Sequence, residues 1–313
     1  MKNSYRIRPV QDAQEWEECF NAIQRPHLMQ SHAYGEAKKH AQQWHINRYI
    51  FERSGTPVAI CQVLEKRLVG LRIASRINRG PLFVDEAPTC SVRQNVLQLI
   101  RDRWKMLRSG PLLIAPALDM SDENRSVLTQ LGFRDRKKYC HCSALVDLRP
   151  AESEMRKRLA SNWRNHLKLA ERSGLELRTS NTAESVEWML DRHVENMQSK
   201  NFHGPERALL RALYLARPDD FLVLQAVFEG EPVAGMILAR CGQKAEYYIG
   251  WFGAAGRKYN CGNFLCWNAA LEMKKVGCTW LDLGGFGSND KFGHFKQGMR
   301  GTEYQLIGEW VCF

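Results

Sequence analysis

A chain of 313 residues has room for two ordinary domains, each with its own core. The 45 Lys and Arg against 34 Asp and Glu give a formal charge of +11, which favours an anionic partner: nucleic acid, an anionic membrane surface or a phosphorylated substrate. No stretch approaches the roughly 18 continuous apolar residues of a spanning helix, and the ten cysteines lie scattered without a disulfide framework's spacing, with no signal peptide before Tyr5, so a reducing cytoplasm is expected.

In chain order, Tyr5 to Val10 reads as a strand, followed by a helix with Trp16, Cys19, Phe20 and Ile23 on one face. Ser31 is a natural N-cap for a second helix on which Tyr34, Ala37, Lys38 and Ala41 share one side. RYIFER and PVAICQVLEKR form a hairpin turning at Ser54-Gly55, and RIASRINRGPLFV breaks at Gly80-Pro81. A helix from Ser91 to Arg108, the strand PLLIAPAL and a short helix over Glu123 to Leu131 follow. In KYCHCSALVDL, Cys140, Cys142 and Ala144 alternate on one face of a strand; no second Cys/His pair follows, so no metal site is expected.

The pattern then starts again. SEMRKRLASNWRNHLKLAERSG reads as one basic helix capped by Gly174, LELRTS as a strand, then helices lie around Val186 to Ser199 and Glu206 to Leu215. FLVLQAVFEGEPVAGMILARCG is a hairpin turning at Glu229-Gly230. SGTPVA and EGEPVA place Pro-Val-Ala directly after a turn in each half, 175 positions apart (232 minus 57), and the helix-ending Gly110 and Gly277 lie 167 apart. Two copies of one α/β unit are inferred, with the boundary near 148 to 152.

From Tyr247 to Trp310 come a strand, YYIGWFG, a helix, NFLCWNAALEMKK, a strand, TWLDLGG, and a closing loop, GHFKQGMRG. Ligands of open α/β sheets sit beyond the carboxyl ends of strands, where this chain carries Asp282, then His294, Lys296 and Arg300. Arg134 to Arg172 holds eleven basic against five acidic side chains, +6 of the total. Its Arg156, Arg164 and Lys168 recur at spacings that put several cations on one side, as a phosphate backbone requires; a solvated helix face has the same pattern.

QSHAYGEAKK, NRGPLF, NWRNHLKLAERSGLELR, GEPVAGMIL, GCTWLDLGG and HFKQGMRG resemble, in this order, the Fem-type aminoacyltransferases. The resemblance implies an α/β (α+β) chain of two tandem GNAT-like acyltransferase domains, mixed sheets flanked by helices. Residues 1–149 would form the acceptor side, and residues 150–313 the donor side and reaction centre. It implies transfer of an amino acid from aminoacyl-tRNA, the co-substrate, to a small peptide or amine acceptor, typically a peptidoglycan precursor or a natural-product intermediate, with no further cofactor. Lys38 then matches a lysine on substrate phosphate, Lys296 of the Phe295-Lys296 pair a lysine at the tRNA end and reaction centre, and Tyr248 an active-site tyrosine, with Tyr247 as the alternative. Two features depart from the family: Ala115 precedes Pro116 where precursor-specific members carry an acidic residue, and the coiled-coil arm is absent.

Aminolysis of an ester needs a neutral amine, removal of a proton and stabilisation of an oxyanion, and no nucleophilic side chain. Lys296 is expected to supply charge to the oxyanion or to the terminal phosphate of the tRNA. Asp282 is expected to accept a proton or, as such aspartates more often do, brace the Gly284-Gly285 loop, and His294 is either a further base or, as loop histidines more often are, only exposed. The rival donor is acyl-CoA, whose pyrophosphate needs a glycine-lined turn opening a helix. Arg257-Lys-Tyr-Asn260-Cys-Gly262 keeps one glycine and puts Asn260 at the other, which leaves that cradle impaired but not abolished. An RNA-binding relative without catalysis is the third reading.

Overall fold

The computed structural model describes residues 4–104, 110–137, 140–286 and 291–313, the last span with backbone only at 291 and 292. It separates into two compact units, Met1–His141 with Gln305–Phe313, and Cys142–Tyr304. Each is built on one mixed sheet.

The first unit's strands are β1 (Tyr5–Val10), β2 (His45–Arg53), β3 (Thr56–Leu68), β4 (Leu71–Asn78), β5 (Leu82–Phe83), β6 (Leu112–Ala115), β7 (Arg134–Asp135) and, from the far end of the chain, β15 (Trp310–Cys312). Their order is β1-β2-β3-β4-β6-β15-β7, with β5 beside β3. Only β4 and β6 run parallel, joined through the helix Cys90–Arg103, which Thr89 caps. The second unit contains β8 (Cys142–Asp147), β9 (Glu176–Ser180), β10 (Phe221–Phe228), β11 (Glu231–Cys241), β12 (Lys244–Phe252), β13 (Trp280–Asp282) and β14 (Thr302–Gln305). Their order is β14-β8-β13-β12-β11-β10-β9, and here too a parallel pair, β12 and β13, is joined by a helix, Cys261–Lys275.

The internal repeat is visible at single-residue level. Ser54-Gly55 and Glu229-Gly230 all have positive φ, the backbone of a two-residue hairpin whose twist suits the strands. In both hairpins Pro-Val-Ala then makes the same bulge: Glu52 faces Pro57 and Phe51 faces Ala59, leaving Val58 over, while Val227 faces Pro232 and Ala226 faces Ala234, leaving Val233 over.

Several elements depart from expectation. The chain's division differs from 1–149 and 150–313, because β8 pairs with β13 in the second sheet while β15 pairs with β6 and β7 in the first. The basic helix is two helices, Glu152–Arg158 and Ser161–Glu171. Leu159 and Ala160 between them are extended, and Ala160 N donates to Gly298 O (3.0 Å). The closing loop contains a helix, Lys291–Gln297. The third helix starts at Cys90 and is followed to Arg103; the expected extension to Arg108 lies outside the described residues. Residues 204–218 contain the ten-residue helix Arg207–Ala216. Among the described residues no helix is long and apolar enough to cross a membrane.

The helix Cys261–Lys275 is the centre of the second core: Cys261, Phe264, Leu265, Cys266, Trp267, Ala269, Ala270 and Met273 are all buried. Apolar residues all round a helix mark one covered on every side. Each fully buried large side chain contributes roughly 1.5–3 kcal/mol.

Candidate functional site

Strands β12 and β13 pair only over Lys244–Glu246 and Trp280–Asp282. Past Asp282 the chain turns to β8 instead, with Leu283 N donating to Ala144 O (3.0 Å) and Phe286 N to Cys142 O (3.1 Å). On its other side β12 bulges at Tyr248, since Ile237 faces Ile249 and Leu238 faces Tyr247. The sheet therefore splits at Tyr247 and Gly284. Gly284 sits at φ 71°, and a Cβ there would meet Tyr247 O at 2.5 Å, so only glycine allows this crossing.

Lys296 is fixed beside the split. Its side chain comes from the helix Lys291–Gln297 and is 4% exposed; Nζ donates to Gly284 O (3.2 Å) and Gly285 O (3.1 Å). The ammonium also lies 4.9 Å from the centroid of the Tyr247 ring and 5.9 Å from that of Phe286. Burial raises the Tyr247 phenol above its ordinary range. Burial likewise raises the Cys266 thiol to about 12, against a weaker opposing pull from Lys296.

Asp282, at the end of β13, is the hub of a buried polar network. It accepts from Ser143 Oγ, from Gly284 N (3.0 Å), from Tyr304 OH (2.7 Å) and from Lys244 Nζ (3.3 Å), which is also 2.8 Å from Glu246. Lys244 is 1% exposed. Burial works to lower its pKa, but Glu246 and Asp282 outweigh burial and hold the ammonium charged well above its ordinary range. Burial, then the Asp282 charge, raises Tyr304. With four donors on one carboxylate, Asp282 holds the Gly284 turn and through it the carbonyls that anchor Lys296.

Ser143, Lys244 and Tyr304 were not singled out by sequence. Each comes from a different strand, and Lys244 in KAEYY reads as a surface lysine.

Phe295 lies with its ring against Gly262, where an added Cβ would be 3.1 Å away, and 6.0 Å from the Trp163 ring. A side chain at the glycine retained near the opening of the helix Cys261–Lys275 would crowd the Phe295 ring. Asn260 precedes that helix in left-handed backbone (φ 56°), as its position in the turn requires. His294 and Arg300 are exposed. Arg300 lines a pocket of about 170 Å3 with Arg158, Met155, Trp267 and Trp280; neither Lys296 nor Tyr248 lines it, so it is distinct from the split.

The basic residues divide. Arg156 Nη1 donates to Glu171 Oε1 (2.8 Å) and its guanidinium lies over Trp267, so it is already engaged. Arg164 reaches the Lys157 carbonyl (3.1 Å), and Lys168 is exposed. Lys38 belongs to the first unit, on the helix His32–Gln42; Nζ donates to Gln42 Oε1 (2.6 Å) and lies 5.5 Å from the Tyr34 ring centroid.

A mixed sheet that opens between two parallel strands, beside a helix entered through a left-handed residue, is the architecture of GNAT acyltransferases. A family model described as an acetyltransferase (GNAT) domain matches residues 154–297. Solved structures with two such units in tandem match nearly the whole chain. The crystal structure of FemX matches 98% of this chain and 96% of its own, with a TM-score of 0.79 at 15% identity. A tandem GNAT protein from the clavulanic acid biosynthesis pathway matches 99% of this chain and 98% of its own (TM-score 0.56, 11% identity). The C-terminal domain of a putative lysylphosphatidylglycerol synthetase from Agrobacterium fabrum matches 96% and 92% (0.53, 14%). At such identities the likeness is one of fold. No curated protein sequence matches the chain.

Proposed function

We propose that the chain is an aminoacyltransferase that forms an amide by moving an amino acid from aminoacyl-tRNA to the amine of a peptide, cell-wall precursor or natural-product acceptor. The observation that carries this reading is Lys296, an ammonium buried to 4% exposure and held beside the split in the second sheet.

The acceptor amine attacks the ester carbonyl, a C–N bond forms and the carbonyl oxygen takes the negative charge. Collapse breaks the C–O bond to the ribose, whose oxygen leaves with the proton lost by the amine. Lys296 offers positive charge to the oxyanion or to the terminal phosphate of the tRNA. Tyr248, set in the bulge, serves as hydrogen-bond partner to the reacting oxygens, and Asp282 acts as the brace of the Gly284 turn. Phe295 packs against the helix opening where a CoA pyrophosphate would approach, which supports tRNA as donor. Arg164 and Lys168 are assigned to the tRNA, His294 and Arg300 to the substrate, and Lys38, in the first unit, to the acceptor.

A second reading, acyl-CoA as donor, draws on Asn260, whose left-handed backbone keeps the turn that opens a CoA-binding helix. The test mixes the protein with total tRNA charged with labelled amino acids and an extract of metabolites and wall precursors. RNase-sensitive transfer of label to a product supports the proposal. Consumption of acyl-CoA with charged tRNA ignored overturns the choice of donor.

A further inference from the structure

The hairpin joining β3 to β4 ends unlike the others in this chain. Its tip is Leu68-Val69-Gly70-Leu71, with Leu68 63%, Val69 92% and Leu71 73% exposed. Leu68 pairs with Leu71, so Val69 and Gly70 form a two-residue turn, and both have positive φ (49° and 77°). Such turns favour Asn, Asp and Gly, whereas a β-branched residue in left-handed backbone is strained. The corresponding positions in the two Pro-Val-Ala hairpins hold Ser54 and Glu229, each followed by glycine as here, and the β11–β12 hairpin, where Cys241 pairs with Lys244, has Gly242. A valine kept at an unfavourable angle and 92% exposed has little packing to explain it, and residues held in sparsely populated backbone regions cluster at functional sites.

The surroundings of the tip are cationic. Lys66, Arg67 and Arg72 stand on the strands just behind it. Arg67 and Arg72 share one carboxylate, Glu65, at 2.9 and 2.8 Å. That carboxylate is 1% exposed, while the Arg67 and Arg72 side chains are 40% and 21% exposed, so the charge facing solvent is positive. Lys66 Nζ donates to the Gln42 carbonyl (2.5 Å) and lies 4.8 Å from the centroid of the half-buried Trp44 ring, which puts an aromatic beside this cation. A convex apolar tip behind which an aromatic and three cations are ranged matches the layering of a bilayer surface, with acyl chains outermost to the tip and anionic headgroups level with the cations.

We propose that this hairpin docks the protein on an anionic phospholipid membrane, inserting Leu68, Val69 and Leu71 at the headgroup boundary while Lys66, Arg67 and Arg72 meet lipid phosphates. The inference is independent of the transfer reaction and holds whatever the donor is.

The test is co-sedimentation of the full chain with vesicles of phosphatidylcholine alone and of phosphatidylcholine with about 30 mol % phosphatidylglycerol, at about 0.1 M salt. The variant is Leu68→Thr with Val69→Asn and Leu71→Thr, because Asn-Gly is a favoured sequence for this turn and preserves the fold. Wild type should sediment with the anionic vesicles and not with the neutral ones, and the variant should bind at least tenfold more weakly. Wild type that ignores anionic vesicles overturns the proposal, and so does a variant that binds them as wild type does. A wild-type dimer in light scattering that the variant converts to monomer, with no vesicle binding by either, assigns the tip to a second copy of the chain and overturns the proposal as well.

Discussion

Replacing Lys296 with methionine separates the site's chemistry from its architecture. Methionine matches the length of the lysine stem and suits the Tyr247 and Phe286 rings, so the apolar contacts survive. The Gly284 and Gly285 carbonyls lose their ammonium donor. Gly284 is half-buried and Gly285 exposed, so water can take over much of what the ammonium gave, and the net loss of stability is about 1–3 kcal/mol. At about 2–4 °C per kcal/mol for a domain this size, melting falls by roughly 2–12 °C, which leaves the protein folded at about 20 °C. Loss of one charge aimed at an oxyanion slows acyl transfer about 10²–10³-fold. Single-turnover release of labelled amino acid from tRNA at that temperature, with circular dichroism in parallel, reads both quantities. A folded variant with a rate within about twofold of wild type would falsify the role given to Lys296.

Lys244→Met should be more damaging to the fold than Lys296→Met, because it leaves Glu246 and Asp282 facing each other without their cation; removing one member of a buried ion pair costs about 3–5 kcal/mol. Urea unfolding measures this, and a change below about 1 kcal/mol would contradict the network described. Charge reversal at Arg164 and Lys168 should weaken tRNA binding and reduce the slope of log K against log salt by about 0.7–0.9 for each phosphate no longer neutralised; Arg156→Ala, whose guanidinium is tied to Glu171, should leave the slope unchanged. An unaltered slope in the double reversal assigns the helix to solvent. His193 is 3% exposed, with Nε2 3.1 Å from the Pro205 carbonyl, and burial lowers its pKa below 6.5. A folded-state pKa below the unfolded one means stability is present above about pH 6.5 and lost as pH falls through the folded value, so His193→Gln should flatten the melting profile between about pH 7 and 5. Equal pH dependence in the two proteins would remove His193 from that account.

Local features were legible in the sequence where local chemistry fixes them. Ser31 caps its helix as expected, its Oγ accepting from Tyr34 N (3.1 Å), and the two Pro-Val-Ala segments announced a repeat that the structure carries down to the bulge residue. One contact of the candidate site was legible too: the expectation that Asp282 braces the glycine loop corresponds to the Gly284 N–H on its carboxylate. What the sequence hid was set by distant partners. Nothing local breaks the helix at Leu159-Ala160, which contains neither glycine nor proline; the break coincides with the hydrogen bond to Gly298. The helix Lys291–Gln297 reads as a loop because Gly293 and Gly298 punctuate it. The buried charge of Lys244 needs carboxylates from two strands, a pairing no window of sequence contains.

The exchange of β8 and β15 between the two sheets has a consequence for synthesis. The first sheet lacks the strand between β6 and β7 until residues 310–312 arrive, and Trp310, 1% exposed in that core, comes with them. All of the second unit is polymerised before that. The half of the protein made first on the ribosome is thus the half completed last, and its exposed β6 edge must wait, unpaired, through the translation of more than half the chain.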